Sequence, residues 1–160
     1  MVDVVLEVRD ARAPLATENI SLEQELGQKK RIIVFNKSNL ADSEAVKQWS
    51  AFFTKRGTPF LFVNGLNRSA LKEVVTLAKK ISPATAPNAK LRLMIVGLPN
   101  TGKSTIINQL SQKSNAKVAD KPGQTVIQQW IDTDLGIKLL DTPGVMPPHV
   151  LNPQQALWLS

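Results

Sequence analysis

Short apolar runs alternate along the chain with longer stretches in which apolar residues recur every three or four positions. Val2 to Val8 is an apolar run of strand length, and Asn19 to Gly27 has helical spacing, with Asn19 or Ser21 as cap and Gly27 as stop. Arg31 to Phe35 (RIIVF) is continuously apolar, which predicts a strand buried on both faces. Ser43 to Arg56 predicts a helix capped by Ser43 and closed by Gly57; Phe60 to Val63 predicts a strand. Ser69 to Ile81 carries a helical stripe of Leu71, Val74, Val75, Ala78 and Ile81. From Ser82 to Asn88 two prolines and no periodicity mark a linker. Beyond it, Leu91 to Val96 predicts a strand and Ser104 to Leu110 the start of a helix. A polar loop covers Gln112 to Thr125, and strands at Val126 to Ile131 and Ile137 to Leu140 flank the turn Asp132 to Gly136. A last helix is expected from Pro153. This alternation predicts an α/β domain: a mostly parallel sheet with helices on both faces.

Composition narrows the class. At 160 residues, 42% hydrophobic and 21% charged, the chain has the balance of one globular domain. It has no cysteine, which excludes disulfides and thiolate metal sites. No apolar run approaches the roughly 18 residues that span a bilayer. A net charge of +7 favours polyanionic partners such as RNA, although the basic residues are spread out and equally fit a solvated surface.

The chemistry is concentrated in a few loops. Gly97-Leu98-Pro99-Asn100-Thr101-Gly102-Lys103-Ser104 has the G-x-x-x-x-G-K-S spacing between a predicted strand and a predicted helix. In that context the backbone of Pro99, Asn100, Thr101, Gly102 and Thr105 cradles phosphates. Lys103 reaches the β- and γ-phosphates, and the Ser104 hydroxyl is a magnesium ligand. The alternative is a chance match in a glycine-rich turn. Asp141-Thr142-Pro143-Gly144 follows the last predicted strand; Asp141 suits a magnesium ligand, and the Gly144 N–H suits a γ-phosphate sensor. Thr125, in the loop between, is a candidate third magnesium ligand or an ordinary turn residue. Asn36-Lys37-Ser38-Asn39 follows RIIVF and resembles the guanine-reading motif N-K-x-D. There Asn36 braces the pocket and contacts the base, and the Lys37 stem lies along its plane. Asn64-Gly65, after the third strand, stands where a backbone N–H meets the guanine O6. In ordinary small GTPases the phosphate loop comes first and the base motif last. Here the order is reversed, as a circular permutation would make it.

With that order, Glu7 to Leu15 (including Asp10-Ala11-Arg12), Asn36 to Leu40, Gly97 to Thr105, Lys121 to Thr125 with Gln128-Gln129-Trp130, and Asp141 to Val145 resemble the circularly permuted GTPases of the YlqF/YawG type, in particular the ribosome biogenesis GTPase A and mitochondrial ribosome-associated group. The resemblance implies a permuted P-loop fold. It also implies GTP and GDP with Mg²⁺ as ligands, slow GTP hydrolysis, and a role in assembling the large ribosomal subunit with rRNA as partner. Lys103, Thr125 and Asn100 would carry the hydrolysis. Asn100 matches an asparagine that holds K⁺ near the phosphates in related GTPases. The implied state is a monomer in a mitochondrion or chloroplast (matrix or stroma, with or without membrane association), with a bacterial cytoplasm as the alternative. Residues 1–81 would read the base, 82–90 link, and 91–160 hold phosphate and magnesium. The chain looks cut at both ends, so the family's C-terminal helical RNA-binding domain and any targeting residues are expected to lie outside it.

Two positions bear on base reading and hydrolysis. The fourth base-motif residue is Asn39, not aspartate, and an amide offers one acceptor where a carboxylate offers two. Weaker guanine binding follows. Val145 stands where small GTPases place a water-orienting glutamine, a position that is also apolar in this family. Both leave open a nucleotide-gated binding module with little hydrolysis or altered base specificity. Asp10 and Arg12 are expected to form a structural ion pair, Trp49 and Trp158 to pack, Trp130 to sit in the core or anchor a switch, and His149 to lie at the surface.

Overall fold

The computed structural model describes residues 2–20, 22, 26, 29–83, 89–112 and 129–141. Six strands form one sheet: β1 (Val4–Asp10), β2 (Lys30–Asn36), β3 (Phe60–Phe62), β4 (Leu91–Val96), β5 (Gln129–Asp132) and β6 (Ile137–Asp141). The helices are α1 (Ser43–Arg56), α2 (Arg68–Ile81) and α3 (Lys103–Ser111). Leu22 and Leu26 are helical, as the spacing of 19–27 predicts. The order across the sheet is β3-β2-β1-β4-β6-β5, and only the β5–β6 pair is antiparallel. β1 pairs with β4 (Val4↔Leu93 to Glu7↔Val96), so residues on both sides of the 82–90 linker share one sheet.

Alternation along the strands divides the core between two faces. Val4, Leu6 and Val8 of β1, with Ile32 and Val34 of β2, meet Leu71, Val74, Val75 and Ala78 of α2 and Ile106 and Leu110 of α3. On the other face Ile33 and Phe35 meet Phe53 of α1, with Trp49, Phe60 and Phe62 packed against them. Phe35 and Phe62 stack with ring centroids 4.6 Å apart. Ile32 to Phe35 are all buried, as a two-sided strand requires.

The helix boundaries correct one cap. Asp42, not Ser43, caps α1, its carboxylate accepting from the Ala45 N–H at 2.9 Å, while Gly57 ends the helix at φ +71°. Asn67 caps α2. Trp130 is not a core residue: it lies on edge strand β5 and is 36% exposed. The loop from Lys113, the first part of the strand expected at 126–131, and everything beyond Asp141, with Gly144, Val145, His149 and Trp158, lie outside the described residues, as does Thr125.

Candidate nucleotide site

The strand order runs one way from β1 to β2 and β3, and the other way from β4 to β6. A parallel sheet that reverses between two adjacent strands opens a crevice at their carboxyl ends, where ligands collect. Among the described residues every candidate loop leaves the sheet at this edge: Asp10–Arg12 after β1, Asn36–Asn39 after β2, Asn64–Gly65 after β3, Gly97–Gly102 after β4, and Asp141 at the end of β6.

The phosphate loop begins at Gly97 (φ +152°), where a side chain would collide with the Val8 carbonyl, and closes at Gly102 (φ +93°), where it would collide with the Asn36 amide. Gly102 is the N-cap of α3 and offers no side-chain oxygen to the first N–H groups of that helix. These uncapped donors and the helix dipole favour an anion there. The Thr101 side chain is buried and turned inward, its hydroxyl donating to the Leu98 carbonyl at 2.9 Å. The Lys103 ammonium donates to the same carbonyl at 2.7 Å. Burial lowers the Lys103 pKa below that of a free lysine. Pro99, Asn100 and Ser104 are exposed, and Thr105 is half-buried.

The base motif joins this loop directly. Asn36, 3% exposed, donates from Nδ2 to the Thr101 carbonyl at 2.9 Å across 65 residues of sequence. Its Oδ1 accepts from the Lys37 N–H at 2.7 Å and the Gly65 N–H at 2.8 Å. One amide therefore ties together the ends of β2, β3 and β4. Lys37 takes a left-handed conformation (φ +60°) and sends its ammonium to the Asn100 carbonyl at 2.7 Å. Asn39 is exposed on a 3₁₀ turn, Ser38–Leu40, which the Ser38 N–H fastens to the Val63 carbonyl at 3.1 Å. Asp42 is committed to capping α1 and does not replace the carboxylate missing at Asn39. Asn64 spends its side-chain oxygen on the Leu66 N–H at 3.0 Å.

Asp10 and Arg12 form the expected pair, with Arg12 donating to both carboxylate oxygens at 2.9 and 2.8 Å. A third group joins them: Lys37 Nζ stands 3.1 Å from Asp10 Oδ2. Burial alone would raise the Asp10 pKa, but the hydrogen bonds from Arg12 and the Lys37 charge outweigh it and bring it to about 2. The sequence reading missed a buried ion cluster beside this edge. Arg9 (1% exposed) pairs with Glu7 at 2.7 Å and Glu18 at 3.1 Å, and Arg31 reaches Glu7 at 3.4 Å. Its one sequence signal is the i, i+2 spacing of Glu7 and Arg9 inside an apolar strand, which puts both on one face.

Known proteins resemble this chain in sequence and fold. A family model described as 50S ribosome-binding GTPase matches residues 92–157. Ribosome biogenesis GTPase A of Bacillus licheniformis is 39% identical over 157 residues, covering 92% of this chain and 55% of that protein. The crystal structure of GNP-bound YlqF from T. maritima superposes with a TM-score of 0.69 at 34% identity, over 97% of this chain and 57% of that one. Over nearly its whole length the chain is similar to the YlqF-type GTPases. Another relative, Short integuments 2, mitochondrial, of Arabidopsis thaliana, is 32% identical over 172 residues, covering 99% of this chain and 45% of that protein. The chain spans about half the length of the curated relatives it matches.

Among the described residues no group of three His, Cys, Asp or Glu side chains could hold a metal, and no helix is long and apolar enough to cross a membrane. The exposed Ser104 hydroxyl in the first turn of α3 is an oxygen donor of the kind a hard cation takes.

Proposed function

We propose that this chain binds GTP and GDP and hydrolyses GTP, serving as the nucleotide switch of a factor that assembles the large ribosomal subunit. The observation that carries this is the Asn36 amide on the Thr101 carbonyl, which holds the loop carrying the base motif against the loop carrying the phosphate motif. The phosphates lie on the N–H groups of residues 100–105 at the start of α3. Lys103 exchanges its Leu98 contact for phosphate oxygens. The Lys37 stem bounds the base, while the Gly65 N–H is taken by the Asn36 side chain that braces the pocket. Ser104, Asp141 and Thr125 would hold Mg²⁺, which when bound neutralises phosphate charge. The Asn100 side chain, without a hydrogen-bond partner among the described residues, would help hold K⁺.

Val145 cannot orient an attacking water, so intrinsic turnover is slow and rises when a ribosomal particle completes the site. GTP- and GDP-dependent shape gates contact with rRNA. The chain acts in a mitochondrion, which the mitochondrial relatives support, with a bacterial cytoplasm as the alternative that the bacterial relatives fit; it acts as a monomer. Calorimetric titration with GDP, and phosphate release from GTP in potassium and in sodium buffer, test these statements. The Lys103→Ala variant should lose at least about 100-fold in affinity, by loss of a charge-assisted contact in a desolvated loop. Turnover should be faster in potassium. Absence of GDP binding by the unaltered chain overturns the proposal.

A further inference from the structure

Lys37 (φ +60°) and Asn100 (φ +63°) are the non-glycine residues with left-handed backbone among the described residues. Asparagine tolerates that region, whereas a lysine there is uncommon and persists where the surroundings hold it. The two residues lie 63 positions apart, yet one hydrogen bond joins them: Lys37 Nζ to the Asn100 carbonyl at 2.7 Å. The ammonium that makes this bond is held from behind by Asp10 Oδ2 at 3.1 Å. The Asp10 carboxylate is itself fixed. Arg12 grips both its oxygens, and the Arg12 N–H donates to Oδ1 at 3.0 Å. The Asp10 N–H donates to the Thr17 hydroxyl at 3.0 Å, and the next N–H, that of Ala11, donates to the Asn36 carbonyl at 2.8 Å. The Asp10 side chain is 2% exposed, against 50% for Arg12 and 28% for Lys37.

We propose that Asp10 is a positioning residue for nucleotide binding, its carboxylate latching the Lys37 ammonium onto Asn100 and so holding the phosphate loop in its binding shape. A fixed anion behind a flexible cation explains why the Lys37 side chain spans the gap instead of turning to water, where a lysine gains rotamer freedom. Without the negative charge, Lys37 and Arg12 are two like charges around one neutral group, and Lys37 is pushed off the loop. The Asp-Ala-Arg stretch then belongs to the nucleotide site without touching nucleotide. Arg12 orients the carboxylate and Asp10 orients the lysine. This rests on the nucleotide-site reading above.

The test is a double-mutant cycle on GDP affinity in the full chain, with Asp10→Asn, Lys37→Met and the pair. Asp10→Asn should weaken GDP binding about tenfold, since one charge-assisted contact is lost. In the Lys37→Met background the same change should alter affinity less than about twofold, because there is no ammonium left to position. Asp10→Glu, which keeps the charge, should recover part of the loss. In steady-state hydrolysis Asp10→Asn should raise KM with a smaller change in kcat, since the chemistry is not touched. A purely structural Asp10 would weaken binding equally in both backgrounds, and that result overturns the proposal, as does an unchanged affinity. Side-chain NMR of the unaltered chain gives a readout that needs neither variant folding nor nucleotide. The Lys37 ammonium should exchange slowly with water, and a freely exchanging one overturns the latch. If the unaltered chain fails to bind GDP while Lys37 is protected, the nucleotide reading falls and the latch stands as a structural feature.

Discussion

Replacing Asn36 with alanine tests the convergence of the two loops without any nucleotide. The wild-type amide makes three hydrogen bonds, to the Thr101 carbonyl and from the Gly65 and Lys37 N–H groups. Lys37 is partly exposed, so its N–H can turn to water at little cost. Gly65 and Thr101 are buried, and each would keep an unsatisfied polar group, at about 1–3 kcal/mol apiece. The expected loss is about 3–4 kcal/mol, a large part of the roughly 5–15 kcal/mol that holds a domain together. Urea unfolding followed by tryptophan fluorescence measures it as a shift in midpoint at constant slope. Asn36→Asp sharpens the test. A carboxylate can still accept from Gly65 and Lys37, but it turns a lone pair toward the Thr101 carbonyl where the amide had placed a donor. It should therefore destabilise too, despite its matching shape. A loss under about 1 kcal/mol for Asn36→Ala would refute the claim that this amide joins the three strand ends.

Two further outcomes follow from single residues. Asn39→Asp should tighten GDP binding by about 1–2 kcal/mol, discounted for the exposure of the turn, because a carboxylate accepts from both donors on the guanine edge. Xanthine presents a carbonyl in place of the amino group, so the unaltered chain should discriminate less against XDP than the variant does; equal GDP affinity in the two forms refutes this. For acid stability, the Asp10 pKa of about 2 lies below the 3.8 of a free aspartate, so the unfolded chain takes up the proton first. The contribution of about 2 kcal/mol is complete above pH 4 or so and disappears as the pH falls toward 2. Urea midpoints at pH 5, 3 and 2 should fall more steeply for the unaltered chain than for Asp10→Asn.

Much of this architecture is legible in the order of residues. The apolar run Leu91 to Val96 coincides with β4, and Ser43 to Arg56 with α1, because hydrophobic period and helix stops such as Gly57 act over a few residues. The phosphate loop is legible for the same reason: strand, glycine turn and helix start are all local. So is the permutation, which needs only the order of two motifs. The α1 cap went to Asp42 instead of Ser43 because two neighbouring polar residues compete, and the chain's path into the helix chooses between them.

What the linear chain does not contain is the set of contacts made between strands. The register Asp10↔Asn36 sets the first strand's carboxylate beside the base motif, and the β1–β4 pairing brings the phosphate loop against both. Asn36 on Thr101, Lys37 on Asn100 and Asp10 behind Lys37 all span 27 residues or more. The burial of Glu7 and Arg9 likewise needs Arg31 and Glu18 from other segments. Sequence determined which groups are candidates for phosphate and base, since backbone conformation and donor chemistry are local properties. Only the closed sheet decided which of them touch, since that depends on strands that meet in space while their residues stand far apart along the chain.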